Sequence, residues 1–152
     1  MEDVIPRDLA EIRLSFKNKV RASDRPKVAN SRDAYGLLMK KWNLEKIELV
    51  EEFKILLLNR TSQCLGEYKL SSGGTTSTIA DPKLIFAAAI KCNACGVILA
   101  HNHPSGSLTP SEPDITLTKK IIEGGNLLDI LVLDHLIVTK EGFYSFADEG
   151  LI

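Results

Sequence analysis

Two histidines, His101 and His103, close the apolar run Val97-Ile98-Leu99-Ala100 with Asn102 between them. Alternate residues of a strand share a face, so a strand through these positions presents both imidazoles side by side. Pro104 and Gly106 then stop the strand and turn the chain. Asp114 follows, at what reads as the first turn of a helix. Two neutral imidazoles and a carboxylate match a catalytic zinc site, with three protein ligands and a fourth position left for water. The competing reading is a strand-end histidine pair with Ser111 and Asp114 as a capping box, Asp replacing the usual Glu.

Hydrolysis at such a site needs one more group, a carboxylate that takes a proton from water and returns it to the leaving group. Glu51 and Glu52 stand immediately before the strand-like run Phe53-Lys54-Ile55-Leu56-Leu57-Leu58, and either is a candidate. The plainer alternative is a pair of solvated acids at a strand mouth. Cys92-Asn93-Ala94-Cys95 is a lone CxxC with no second pair, and Cys64 is the only other cysteine, so it reads as background. Ser71 to Thr78 is rich in glycine and hydroxyls but lacks the Gly-Lys-Ser/Thr ending of a phosphate loop; it reads as a flexible loop near a substrate. Asp134 and His135 fit either a support for metal ligands or a structural pair in a strand.

The elements that must position these groups follow from periodicity and punctuation. Ile12, Leu14 and Phe16 alternate with polar residues as in a half-buried strand, and Lys17 to Asn30 reads as a polar connection. Ser31 is the expected cap of a helix carrying Ala34, Leu37, Leu38 and Trp42 to an end near Asn43, with Trp42 as a core anchor. Strands are expected over 53–58 and 64–70, joined by a hairpin loop at 59–63. Asp81-Pro82 opens a second helix, which Gly96 is expected to end before the histidine strand. A third helix follows Ser111 and Pro113 and is expected to stop at Gly124-Gly125-Asn126. Strands over 130–138 and 143–146 complete an α/β chain, with one mixed sheet flanked by helices. The division is an N-terminal strand and polar connection, 1–30, ahead of a domain over 31–152.

At 152 residues the chain is long enough for one domain with a real core. Nineteen basic and twenty acidic side chains leave a formal net charge of -1, without the basic footprint of a nucleic-acid domain. The acidic start Met1-Glu2-Asp3-Val4 is no export signal, and no apolar segment approaches the roughly 18 residues that span a bilayer. An odd count of three cysteines points to reduced thiols in a cytoplasm. Exposed edge strands would allow pairing with a second copy or an extended substrate.

The run His101-Asn102-His103-Pro104-Ser105-Gly106, then Pro110-Ser111 and Asp114, resembles the core of the JAMM (MPN+) metalloproteases. Asn102, the Pro-Ser-Gly that follows, and Asp134-His135-Leu136-Ile137-Val138 resemble its RadC-like branch, as do Glu52-Phe53, Asp81-Pro82 and Ser145-Phe146. The resemblance runs from about residue 31 to the C-terminus. It implies a cytidine-deaminase-like (JAB/MPN) fold and one zinc held by His101, His103 and Asp114. It also implies Glu52, rather than Glu51, as general acid/base, and Ser111 as a donor to the oxyanion of the tetrahedral intermediate. The implied activity is that of a zinc metallopeptidase or isopeptidase acting on a peptide or protein.

The rival from another class is a DNA-repair-associated protein that processes or binds nucleic acid, which the RadC name suggests. Longer RadC proteins carry a helix-hairpin-helix DNA-binding region, whereas only about thirty residues precede the match here. A nucleoside deaminase would need His-x-Glu followed by Pro-Cys-x-x-Cys, and here the cysteines precede the histidines. A non-catalytic scaffold is the remaining alternative, and the intact ligand set speaks against it.

Overall fold

The computed structural model describes residues 9–73 and 80–152. The acidic start and positions 74–78 of the Gly- and hydroxyl-rich stretch therefore lie outside the described residues. The elements are α1 (Ser31–Lys41), β1 (Glu52–Leu58), β2 (Cys64–Ser72), α2 (Pro82–Lys91), β3 (Gly96–Asn102), α3 (Glu112–Leu128), β4 (Leu131–Val138) and β5 (Phe143–Ser145). The strands form one five-stranded sheet in the order β2-β1-β3-β4-β5. β1 runs antiparallel to both β2 and β3, β3 and β4 are parallel, and β5 returns antiparallel to β4. This is the mixed sheet flanked by helices that the patterning implies.

The sheet is covered on both faces, which explains why β1 and β3 are buried along their whole length. On one face, Phe53, Ile55, Leu57, Val97 and Leu99 pack under Ile85, Phe86 and Ala89 of α2 and Ile121 of α3. On the other, Leu56, Leu58, Ile98, Ala100, Leu136 and Val138 pack against Ala34 and Leu38 of α1, with Trp42 and Ile47. Trp42 is a core anchor, as its spacing implies. Among the described residues no helix is long and apolar enough to cross a membrane, and all three cysteines are free thiols.

Four local expectations are corrected. Ile12, Leu14 and Phe16 are exposed and lie in no strand. Phe16 lines a cavity with Leu65 and Tyr68 of the edge strand β2, and the Asn18 side chain donates to the Leu65 carbonyl, but among the described residues no backbone ladder joins the segment to β2. The cap of α1 is Asn30, one residue before Ser31; its side chain accepts from Asp33 N at 2.9 Å. Gly96 does not end α2, because Asn93 makes the left-handed turn (φ 56°) and Gly96 opens β3. A Cβ at Gly96 would come within 2.8 Å of the end of the Leu133 side chain, which would have to move aside for any larger residue. Gly124 and Gly125 lie inside α3, which runs on to a left-handed Asp129 (φ 55°). They are small because a Cβ at either would meet the Phe86 ring at 2.8 Å or the Ile130 carbonyl at 2.3 Å.

Candidate metal centre

The register of β1 against β3 sets Phe53 opposite His101, so their side chains share the face that α2 and α3 cover. The two rings lie parallel, 5.9 Å apart, and His101 is buried. Two residues on, half-buried His103 points the same way, and its Nε2 lies 2.9 Å from Nε2 of His101. Asp114 arrives from the first turn of α3. Its Oδ1 lies 3.4 Å from His101 Nε2 and its Oδ2 lies 3.3 Å from His103 Nε2. Donors around a tetrahedral zinc with bonds of about 2.0–2.1 Å sit about 3.3 Å apart, so these three residues fit such an ion.

The ring orientation fits as well. His103 Nδ1 lies 2.9 Å from the Ser107 carbonyl, which can only accept, so Nδ1 carries the hydrogen and Nε2 keeps its lone pair. His101 Nδ1 faces Nε2 of His135 at 2.7 Å. When protonated, His103 donates from Nε2 to the Asp114 carboxylate, and this hydrogen bond, acting against burial, raises its pKa. Burial alone would raise the Asp114 carboxyl, but its hydrogen bonds with His101 and His103 hold it well below the usual carboxylate range. Burial pushes His135 well below the ordinary histidine value. The neutral ligand set that zinc requires is thus contested at His103, where protons compete.

The two glutamates part company here. Glu51, His101 and His103 bring ligand-capable atoms within 4.8 Å of one another. Glu52 falls one step along the strand and so on the opposite face. There its carboxylate is 3.7 Å from Lys69 Nζ and its N–H donates to Asn102 Oδ1 at 2.7 Å. The structure brings His101, His103 and Asp114 together and adds Glu51 in place of Glu52. The physical reason is strand alternation, since adjacent residues cannot face the same cleft.

Asn102 is the clamp between these regions. Besides accepting from Glu52, its Nδ2 donates to the carbonyls of Ile47 at 2.7 Å and Val50 at 2.9 Å. It thereby fixes the segment that delivers Glu51. Ser111 caps α3: its Oγ accepts from Asp114 N at 3.2 Å, while its own N–H donates to Asp114 Oδ2 at 2.9 Å. The capping box and the metal reading are therefore one arrangement, since it orients the Asp114 carboxylate and leaves the Ser111 hydroxyl hydrogen to donate. A polar cleft beside His103, lined by Ile47, Glu48, Ser105, Thr139, Lys140 and Glu141, offers an approach.

Cys92 and Cys95 lie at the far end of β3 from the histidines, and burial raises the Cys64 and Cys92 thiols away from the thiolate form a metal would need. Asp134 serves the Ser145 hydroxyl and two backbone N–H groups rather than the imidazoles, accepting from Ser145 Oγ at 2.6 Å, His135 N at 2.7 Å and Ala147 N at 3.0 Å. Sequence reasoning left out His135 and missed Thr118, whose Oγ1 is 2.6 Å from His135 Nδ1. One signal was available for His135: all three histidines of the chain meet at this site.

The model of the RadC-like JAB domain matches residues 28–151 of the chain. A UPF0758 protein of Flavobacterium johnsoniae is 48% identical over 101 residues, 66% of this chain and 44% of that protein. The UPF0758 protein YfjY of Escherichia coli is 45% identical over 102 residues, 67% of this chain and 64% of that protein. A UPF0758 protein of Methanosarcina barkeri is 39% identical over 126 residues, 83% of this chain and 54% of that protein. The chain thus spans about half the length of the curated relatives it matches.

Proposed function

The chain belongs to the RadC-like JAB domain family, and from that premise we propose that it is a zinc-dependent metallohydrolase cleaving peptide or isopeptide bonds. The observation that carries the reading is the convergence of His101 Nε2, His103 Nε2 and the Asp114 carboxylate within 2.9–3.4 Å, with Glu51 beside them. When bound, zinc supplies Lewis acidity toward the scissile carbonyl and makes water a better nucleophile at neutral pH.

The chain's own residues do the rest. Glu51, in the role expected of Glu52, takes the proton from the attacking water and passes it to the departing amine. Ser111, anchored as the cap of α3, turns its hydroxyl hydrogen toward the negative oxygen of the tetrahedral intermediate. Asp114 and the two imidazoles hold the ion, and Phe53 walls the buried side of His101. The substrate is an extended peptide or protein segment entering by the polar cleft beside His103. Three unpaired thiols fit a reducing compartment such as the cytoplasm.

The test is a peptide-library cleavage screen comparing zinc-loaded wild type with Glu51→Gln. Cleavage products specific to wild type are expected; identical product sets from the two proteins would defeat the assignment.

A further inference from the structure

Behind His101 lies a buried chain of hydrogen bonds with a fixed direction. Thr118 Oγ1 is 2.7 Å from the backbone carbonyl of Asp114, one turn earlier in α3. A carbonyl only accepts, so the single hydroxyl hydrogen of Thr118 is committed to it. Facing His135 Nδ1 at 2.6 Å, Thr118 Oγ1 can therefore only accept, and the hydrogen in that contact sits on Nδ1. A neutral imidazole protonated at Nδ1 has a lone pair at Nε2. That lone pair faces His101 Nδ1 at 2.7 Å, so His101 carries its hydrogen on Nδ1 and leaves Nε2 bare. His101 Nε2 is the atom that meets His103 and Asp114.

We propose that Thr118 and His135 are positioning residues that select the metal-binding tautomer of His101, with the Asp114 backbone as the origin of the relay. The inference rests on the metal reading above and deepens it. Asp114 acts twice: its carboxylate faces both imidazoles, and its carbonyl dictates which nitrogen of His101 is available. The relay is rigid because Thr118, His135 and His101 are all buried, and His135 stacks on Phe146 at 4.5 Å with ring planes 20° apart. An opposite polarity would place a hydrogen on His101 Nε2 and close the site.

The relay can be read without substrate. Long-range proton–nitrogen correlation spectra of the metal-free, nitrogen-15-labelled full chain resolve the tautomer of each ring, and only three histidines contribute. The expected result at about pH 8, above the ordinary histidine pKa, is Nδ1–H on both His101 and His135. Thr118→Val removes the acceptor at nearly constant shape. It should shift both rings toward Nε2–H and weaken zinc binding about tenfold to a hundredfold, and Thr118→Ser should restore both. Wild-type His101 protonated at Nε2 would overturn the proposal, with no variant needed. So would Thr118→Val with unchanged tautomers and unchanged zinc affinity. The stated tautomers in a wild type that binds no zinc would instead defeat the metal reading and leave the relay standing.

Discussion

The two faces of the sheet at the open ends of β1 and β3 carry equally polar residues and use them in opposite ways. On the α1 face, each polar group has a partner that holds it in place. Asn102 bonds three backbone groups, Lys54 lies 2.9 Å from Glu67 and 4.7 Å from the centre of the Trp42 ring, and Glu52 leans on Lys69. On the α3 face, Glu51, His101, His103 and Asp114 aim at one another and gather acceptor atoms around a point. Lone pairs crowded together in a half-buried pocket repel unless a proton or cation sits among them. One face is satisfied by the chain itself, and the other gathers the lone pairs that the proposed cation would satisfy.

The largest expected difference between the faces lies in turnover. Glu51→Gln should keep its zinc and lose about 10²- to 10⁴-fold in kcat, the span associated with a general base, while Glu52→Gln stays within a few-fold of wild type. Steady-state kinetics with zinc quantified in each variant checks the pair, and the reverse ranking would return the role to Glu52.

Next in size is metal retention. Asp114→Asn should weaken zinc binding by more than the roughly tenfold to hundredfold that loss of a supporting partner costs. Asn can still cap the first turn of α3, so a circular dichroism spectrum like that of wild type separates ligand loss from helix loss. Competition with a chromophoric chelator reads the affinity; unchanged affinity would remove Asp114 from the ligand set.

A smaller effect sharpens the α1 side. Asn102→Ala orphans Glu52 N and the carbonyls of Ile47 and Val50, which should cost about 1–3 kcal/mol of stability and loosen the segment holding Glu51. Urea melts and kcat should fall together; a loss of stability with full turnover would show that Glu51 needs no such clamp.

The smallest expected effect is a pH slope in the metal-free protein. His103 has a raised pKa, chiefly through its hydrogen bond to Asp114. Its contribution to stability is therefore complete below about 6.5, the unfolded value, and is lost as pH rises through the folded one. Asp114 is depressed, so its share is present above about 3.9 and is lost as pH falls. Buried His135, whose pKa is depressed, adds stability in the opposite sense as pH rises, so the slope is read as a difference. The metal-free Tm of wild type minus that of His103→Gln should decline from about pH 6 to pH 8, whereas the Tm gain on adding zinc to wild type should grow over that interval as protons stop competing. Melts with and without chelator test both slopes, and parallel curves would contradict the coupling between His103 and the ion.

What the sequence made legible was whatever is encoded within a few residues. The histidine strand, the Asp81-Pro82 start of α2 and the Ser111–Asp114 box all depend on local spacing, and all are present. The choice between Glu51 and Glu52 is different. Phe53 to Leu58 is almost continuously apolar because both faces of β1 are buried, so no alternation marks which face is which. The answer lies in the pairing of Phe53 with His101, a tertiary fact. His135 reaches the site through the parallel pairing of β4 with β3, which sets it beside Leu99, and no local pattern announces that partner. The glycines inside α3 mislead for the same reason, since their cause is Phe86 on a neighbouring helix and the Ile130 carbonyl.

The central claim is that the α3 face of this sheet is built around a cation. Its most direct test is the metal content of the purified chain after zinc reconstitution and removal of excess ion, measured by elemental analysis beside His101→Ala. About one zinc per chain in wild type, following the three-ligand logic, and a clear loss in the variant are predicted. A wild type that retains none, or a variant that retains as much, would contradict the account.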